Sequence, residues 1–304
     1  MRNKFAETFY ELAKEDDRLC AIVADISPAG SIQKFREDFP DRFINTGVAE
    51  QIMIGMAAGM AQRGMNVFCY TIATFALFRP FEFIRNDLAY QNLPVTVVGI
   101  GGGLTYSTLG ATHHAMEDVA VACAIPNMKV IAPCDPLETE AAVRWCAANR
   151  DGPVYLRLGK AGEPTYEGAD ASSAMWNFNQ LRFLRLGQDR CILTYGPGGV
   201  RRAMELADLF EERGEKVSVV SVSTLKPLDV AGLAYVISNH PRIIVVEEAV
   251  RHGGLFQQVR TLFGDQRPIY GITLQDKFSH VYGSHADLLK HHNWGMSEQV
   301  IERV

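Results

Sequence analysis

The chain has 304 residues, 47% hydrophobic, 21% charged and 10% aromatic, with 30 Lys+Arg against 35 Asp+Glu for a net charge of −5. At roughly 100–200 residues per domain, that length predicts two domains with their own cores, and the acidic balance argues against a nucleic-acid binder. No apolar run approaches the ~18 residues of a membrane span, and the charged start MRNKFAETFYELAKEDDR lacks the apolar middle of a secretory signal.

Phe5, Phe9 and Leu12 share one face of a first helix. LCAIVAD (19–25) reads as a buried strand, a second strand lies at 42–45, and Thr46-Gly47 leads into a long helix over 48–63. Strands NVFCYT (66–71) and VTVVGI (95–100) flank an aromatic-rich helix over 75–91. MKVIAP (128–133) and PVYLRL (153–158) follow, with a helix from Pro136 to Ala148 between them. Such alternation predicts a mainly parallel sheet covered on both faces. Residues 159–180 break every periodicity. A second alternation then runs through strands at 191–196, 217–222, 242–248 and 268–273, with helices at 199–213, 229–238 and 254–263. The expectation is an α/β chain of two consecutive three-layer domains, 1–165 and 186–304, joined by a linker over 166–185. The six cysteines contain no CxxC pair, which fits buried reduced thiols in a cytoplasmic protein.

Gly99 to Gly103 follow a strand and imitate half of a dinucleotide fingerprint, but Leu104 and the polar run Thr105-Tyr106-Ser107-Thr108 extend a loop instead. Tyr195-Gly196-Pro197-Gly198-Gly199 reads as a tight turn, with an anion site as the alternative. His113-His114 lack an acidic or thiol partner at ligand spacing, so no metal site is assigned; a substrate-facing histidine fits better on a loop at a sheet edge. Phe75, Phe78 and Phe81 share a helical face and could be core. Glu50 is the odd residue: it opens a helix whose next turns are nearly all apolar or small, where a carboxylate must be exposed, paired or functional. Gly55 and Gly59 allow another backbone to approach, within the chain or from a second subunit.

Four segments in order resemble the C-terminal part of transketolases. They are DRFINTGVAEQ (41–51), the aromatic run from Tyr70 through Phe78, Gly110-Ala111-Thr112-His113-His114 with Glu117-Asp118, and the late Asp276-Lys277-Phe278 and Tyr282-Gly283-Ser284. The resemblance spans essentially the whole chain and implies a pyrimidine-binding domain followed by a transketolase C-terminal-like domain. It implies dependence on thiamine diphosphate, with Glu50 bonded to the aminopyrimidine nitrogen as a catalytic group. Phe75, Phe78 and Phe81 would form its aromatic pocket, Phe78 facing the ring, and Asp25 would lie near the cofactor. His113 would face the reacting sugar carbons, and Arg2 and Arg157 would take the family's phosphate-binding arginine positions. Leu109 stands where a donor-reading aspartate is usual, and Ala29 and Gly101 stand where the family carries a serine and a histidine.

The family's Gly-Asp-Gly and downstream Asn, which hold the diphosphate and Mg²⁺, have no counterpart here. The resemblance therefore implies a split enzyme in which a separately encoded N-terminal transketolase subunit supplies those ligands in an α₂β₂ assembly. The alternatives are a 1-deoxyxylulose-5-phosphate synthase-like half, to which Lys226-Pro227-Leu228-Asp229 leans, and the β-type subunit of a 2-oxoacid dehydrogenase. From another class comes a regulatory subunit with a decayed site.

Overall fold

The computed structural model describes residues 1–26, 30–170, 173 and 175–294. The first half runs α1 (Arg2–Glu15), β1 (Leu19–Val23), α2 (Gly30–Asp38), β2 (Phe43–Asn45), α3 (Glu50–Gln62), β3 (Asn66–Ile72), α4 (Ala73–Leu77), α5 (Phe81–Phe83), β4 (Val95–Ile100), α6 (Asp118–Ala124), β5 (Lys129–Ile131), α7 (Pro136–Ala148) and β6 (Val154–Leu158). The second half runs β7 (Arg182–Arg185), β8 (Arg190–Thr194), α8 (Gly196–Glu212), β9 (Val217–Ser221), β10 (Thr224–Lys226), α9 (Val230–Asn239), β11 (Ile243–Val250), α10 (Leu255–Phe263), β12 (Ile269–Leu274) and α11 (His285–His291).

Strands β1, β4 and β6 are buried along their whole length, which is why they read as continuous rather than alternating apolar runs. They lie in a sheet of order β10-β5-β6-β4-β3-β1-β2, parallel throughout except at β10. One face is packed by Phe5 and Phe9 of α1, Phe35 of α2 and Val143 of α7; the other by Met53, Ile54 and Ala57 of α3 with Leu77 and Leu88. Helix α7 starts sharply because Asp135 accepts the Glu138 N–H and Pro136 fills the first turn, where no amide partner is needed. The second sheet has the order β12-β11-β8-β9-β7, with β7 antiparallel to β9. The fold class thus matches the expectation of two α/β units with mainly parallel sheets. Among the described residues no helix is long and apolar enough to cross a membrane, and all six cysteines are free.

Three expectations need correction. The aromatic segment 75–91 is not one helix: α4 stops short of Pro80, which lacks an amide hydrogen, and α5 then passes into a π-helical stretch, Ile84–Tyr90. The second sheet begins inside the expected linker, since β7 starts at Arg182. Nor is every core cluster confined to one unit. β10 joins the first sheet antiparallel to β5, with Thr224 opposite Ile131, and one apolar cluster runs from Val119 and Ala122 of α6 to Leu225, Leu233 and Phe256 of the second unit.

Candidate functional site

The site lies where the strands of the first sheet reach their carboxyl ends, the place open α/β sheets offer to ligands. Thr46 donates its N–H to the Val23 carbonyl (2.9 Å), tying the turn after β2 to the end of β1. That turn, with Gly47 at φ +68°, delivers the chain to α3, whose first residue is Glu50. Glu50 is only 2% exposed although its neighbours Val48 and Ile52 are open to solvent. A carboxylate buried at the positive end of a helix is stabilised by the unpaired amides of the first turn. It also accepts a hydrogen bond from Arg79 Nη1 at 2.7 Å. The same guanidinium lies 3.7 Å from the centroid of the Phe75 ring. Phe75 in turn meets His113 edge-on, ring centroids 5.0 Å apart. Glu50, Phe75 and His113 are therefore brought together, with Arg79 between the carboxylate and the ring. Phe78 and Phe81 are half-buried and pack against the core, so Phe75 rather than Phe78 is the ring beside Arg79 and His113.

His113 rides on a loop closed at its base by paired backbone bonds between Gly103 and Ala115, both 2.9 Å. Gly101 turns the chain into this loop at φ +77°, and a Cβ there would run into the Tyr106 ring. Thr112 Oγ1 and His113 Nδ1 are hydrogen-bonded at 2.9 Å. Burial, and then the nearby Arg79 charge, hold the His113 pKa below the ordinary histidine value, which favours the neutral imidazole. His114 is 2% exposed with no hydrogen-bond partner on either ring nitrogen, and burial lowers its pKa as well.

The positions assigned to anion binding divide. Arg157 lies within β6, 4% exposed, with Nε donating to Asp118 Oδ2 at 2.8 Å and Nη2 to the carbonyls of Ala115 and Glu248 at 3.4 Å. It is an internal ion pair, not a free ligand. The residue presented beyond the carboxyl end of that strand is Lys160, whose ammonium stands over the Tyr106 ring at 5.5 Å. The Lys160 carbonyl accepts the Arg2 amide (3.2 Å), and Arg2 Nε is buried without a partner, as is the Tyr70 hydroxyl. Burial pushes the Tyr70 and Tyr106 pKa values up, and the Arg2 charge partly offsets that push. The start of α1 is docked, the Met1 amino group pairing with Glu163 at 2.7 Å. Lys160 follows PVYLRL by two residues, beyond the strand end where open α/β sheets offer ligands a place. Arg79 gave no signal in the sequence.

Asp25, exposed at φ +47°, donates its N–H to Asn45 Oδ1 at 3.0 Å beside the turn that leads to Glu50. Leu109 is 49% exposed on the histidine loop. Ala29 lies outside the described residues. Val48, just before α3, and Ile52 and Met56 on its outer face are all exposed, and a Cβ added at Gly55 or Gly59 would meet nothing within 4 Å.

Comparison with known proteins gives the transketolase pyrimidine-binding domain over residues 1–163 and the transketolase C-terminal domain over 179–296. One apulose-4-phosphate transketolase subunit, from Phocaeicola vulgatus, is 33% identical over 293 residues, 96% of this chain and 92% of that protein. The 1-deoxy-D-xylulose-5-phosphate synthase of Lysinibacillus sphaericus is 34% identical over 249 residues, 82% of this chain but 39% of its own length. A solved split-gene transketolase, described as an inactive β4 tetramer, superposes with a TM-score of 0.86 at 30% identity, covering 99% of this chain and 95% of that one.

Proposed function

The chain belongs to the transketolase family, and on that premise we propose that it is the C-terminal subunit of a thiamine-diphosphate-dependent transketolase. Its reaction would transfer a two-carbon ketol unit between sugars or sugar phosphates. The observation that carries this reading is the buried Glu50 carboxylate linked through Arg79 to Phe75 and His113 at the sheet edge. The donor set fits an aminopyrimidine: a desolvated carboxylate for a ring nitrogen, an aromatic face beside it and an imidazole beyond. When bound, thiamine diphosphate supplies the activated carbon that accepts the ketol unit.

Glu50 would hold a proton at the ring nitrogen, and Phe75, Phe78 and Phe81 would keep water from that face. Arg79, which engages the Glu50 carboxylate and the Phe75 face, would have to release that carboxylate for Glu50 to hold the cofactor. His113, held neutral by burial, can accept or orient a sugar hydroxyl proton. Lys160 and Arg2 would receive an anionic end of the substrate, and Leu109 would set an apolar mouth beside it. Asp25 would stand near the cofactor.

The diphosphate and Mg²⁺ would be held by a separately encoded N-terminal transketolase subunit. Support comes from the subunit name of the P. vulgatus relative and from the apolar outer face of α3, which left in water would be an exposed patch. An α₂β₂ complex would bury it. A second reading, a 1-deoxyxylulose-5-phosphate synthase-like half, is favoured by the similarity to the L. sphaericus synthase. The test is reconstitution. Alone, the chain should bind thiamine diphosphate weakly and show no ketol transfer; with a Gly-Asp-Gly-bearing partner it should show Mg²⁺-dependent turnover. Tight binding and turnover by this chain alone would refute the split reading, and pyruvate-dependent condensation in place of ketol transfer would select the synthase.

A further inference from the structure

The second unit reaches into the first at the loop that carries His113. Strand β11 carries two consecutive carboxylates, Glu247 and Glu248, which a strand sends to opposite faces. Glu247 turns inward to the start of α10, accepting the amides of Leu255 (2.9 Å) and Phe256 (3.0 Å). Glu248 turns toward the first unit. Its Oε1 accepts the Leu104 amide at 2.7 Å, the first residue of the histidine loop past the Gly103–Ala115 closure. Two glycines clear the way: a Cβ at Gly103 would stand 2.6 Å from Glu248 Oε1, and one at Gly198 would strike Oε2. His285, at the start of α11, places Nε2 2.7 Å from the same Oε1. Arg201 of α8 backs the imidazole, with Nη2 3.3 Å from Nδ1.

The other end of the loop is fixed by the same strand, as the Val250 amide donates to the Met116 carbonyl at 3.0 Å. At the loop's tip Gly110 adopts φ +82° with the Tyr282 ring so near that an added Cβ would lie 3.0 Å from Cε1. Base and end are thus tied to residues after 240 and Tyr282 lies against the tip, while the histidine they carry faces the first unit's sheet edge.

We propose that the C-terminal unit positions His113: Glu248 and Tyr282 clasp the 103–116 loop and so fix the imidazole beside Phe75. Glu248 is a positioning residue acting through the Leu104 amide, and this rests on the reading of His113 given above.

Two measurements test it separately. In the chain by itself, Glu248→Ala should raise hydrogen exchange of the amides in 104–113 by about ten- to a hundredfold, the loss of one buried charge-assisted bond. In enzyme reconstituted with its partner, the same change should lower kcat while the apparent affinity for thiamine diphosphate holds. Combined with His113→Ala, it should cost no more than His113→Ala alone, because both remove one function. Glu248→Gln keeps an acceptor for the Leu104 amide and should recover part of kcat. Tyr282→Ala, at an exposed ring, loosens the tip without opening a buried cavity and should raise the same exchange. Unchanged exchange in both variants, or losses that multiply with His113→Ala, would overturn the clasp. Full turnover in His113→Ala would instead overturn the role of the histidine, a failure the exchange data keep apart.

Discussion

Replacing Arg157 by alanine should cost the fold rather than the substrate. The guanidinium is 4% exposed and Asp118 is not exposed at all, so neither charge is solvated by water. Asp118 Oδ2 is held by Arg157 Nε and by the Tyr155 hydroxyl, both at 2.8 Å, and Oδ1 has no partner. Arg157→Ala leaves the carboxylate with the tyrosine alone. Breaking a buried pair from one side costs about 3–5 kcal/mol, because the remaining charge stays desolvated. At about 2–4 °C per kcal/mol for domains of this size, the melting temperature should fall by roughly 6–20 °C. Arg157→Met combined with Asp118→Asn removes both charges, keeps an acceptor for Tyr155 and should return most of that loss. Thermal unfolding by circular dichroism of wild type, single and double variants reads the effect. A shift under ~1 kcal/mol in Arg157→Ala, or no recovery in the pair, would refute the ion-pair account. An unshifted melt with a raised KM for an anionic sugar would restore Arg157 as a substrate ligand.

Other consequences are equally direct. Glu50→Gln keeps the shape but cannot exchange a proton with a ring nitrogen, so kcat should fall by ~10²-fold or more with the melt unchanged; less than a tenfold loss at saturating cofactor would remove Glu50 from the chemistry. Lys160→Met should raise KM for a phosphorylated sugar by about ten- to a hundredfold and spare a neutral analogue, which steady-state kinetics on both substrates would check. Ile52→Glu, at a residue 58% exposed in the isolated chain, should leave the melt intact and abolish assembly with the partner in light scattering. The His285–Glu248 pair predicts a pH window: Glu248 is lowered from 4.5 by His285, against its burial, and His285 is raised from 6.5 by Glu248, against burial and Arg201. The histidine's contribution is complete below 6.5 and fades as pH rises through its raised value, while the glutamate's is complete above 4.5 and fades as pH falls. Stability differences between wild type and His285→Gln should be largest between those values, and a pH-independent difference would refute the pair.

Strand existence was legible because parallel strands buried on both faces leave unbroken apolar runs, as in VTVVGI and PVYLRL. The helix from Pro136 to Ala148 was legible to the residue, since Asp135 and Pro136 form a cap in the sequence itself. Glu50 drew attention by its incongruity in an apolar helix, and its burial with Arg79 as partner is what that incongruity asked for; His113 drew attention by its position on a loop after a strand. The misses have a common cause. Arg157 and Lys160 differ by three residues, and only knowing where β6 ends separates a side chain inside the sheet from one beyond it. Arg79 and Glu248 work through partners 29 and 144 residues away in sequence, a distance that periodicity does not reach. Strand β10 has three residues and no alternation to read; its place is set by the Ala132 amide bonding the Ser223 carbonyl at 2.7 Å.

That short strand bears on how the protein is made. Until Thr224–Lys226 have left the ribosome, β5 is an open sheet edge with unpaired amides and carbonyls, flanked by an apolar helix face that α9 and α10 have yet to cover. A chain cut between residues 165 and 180 would carry this edge permanently, so its expected fate is aggregation rather than an independent domain. The seam between the two units is therefore a poor place for a fusion or a permutation, whatever the family boundaries suggest.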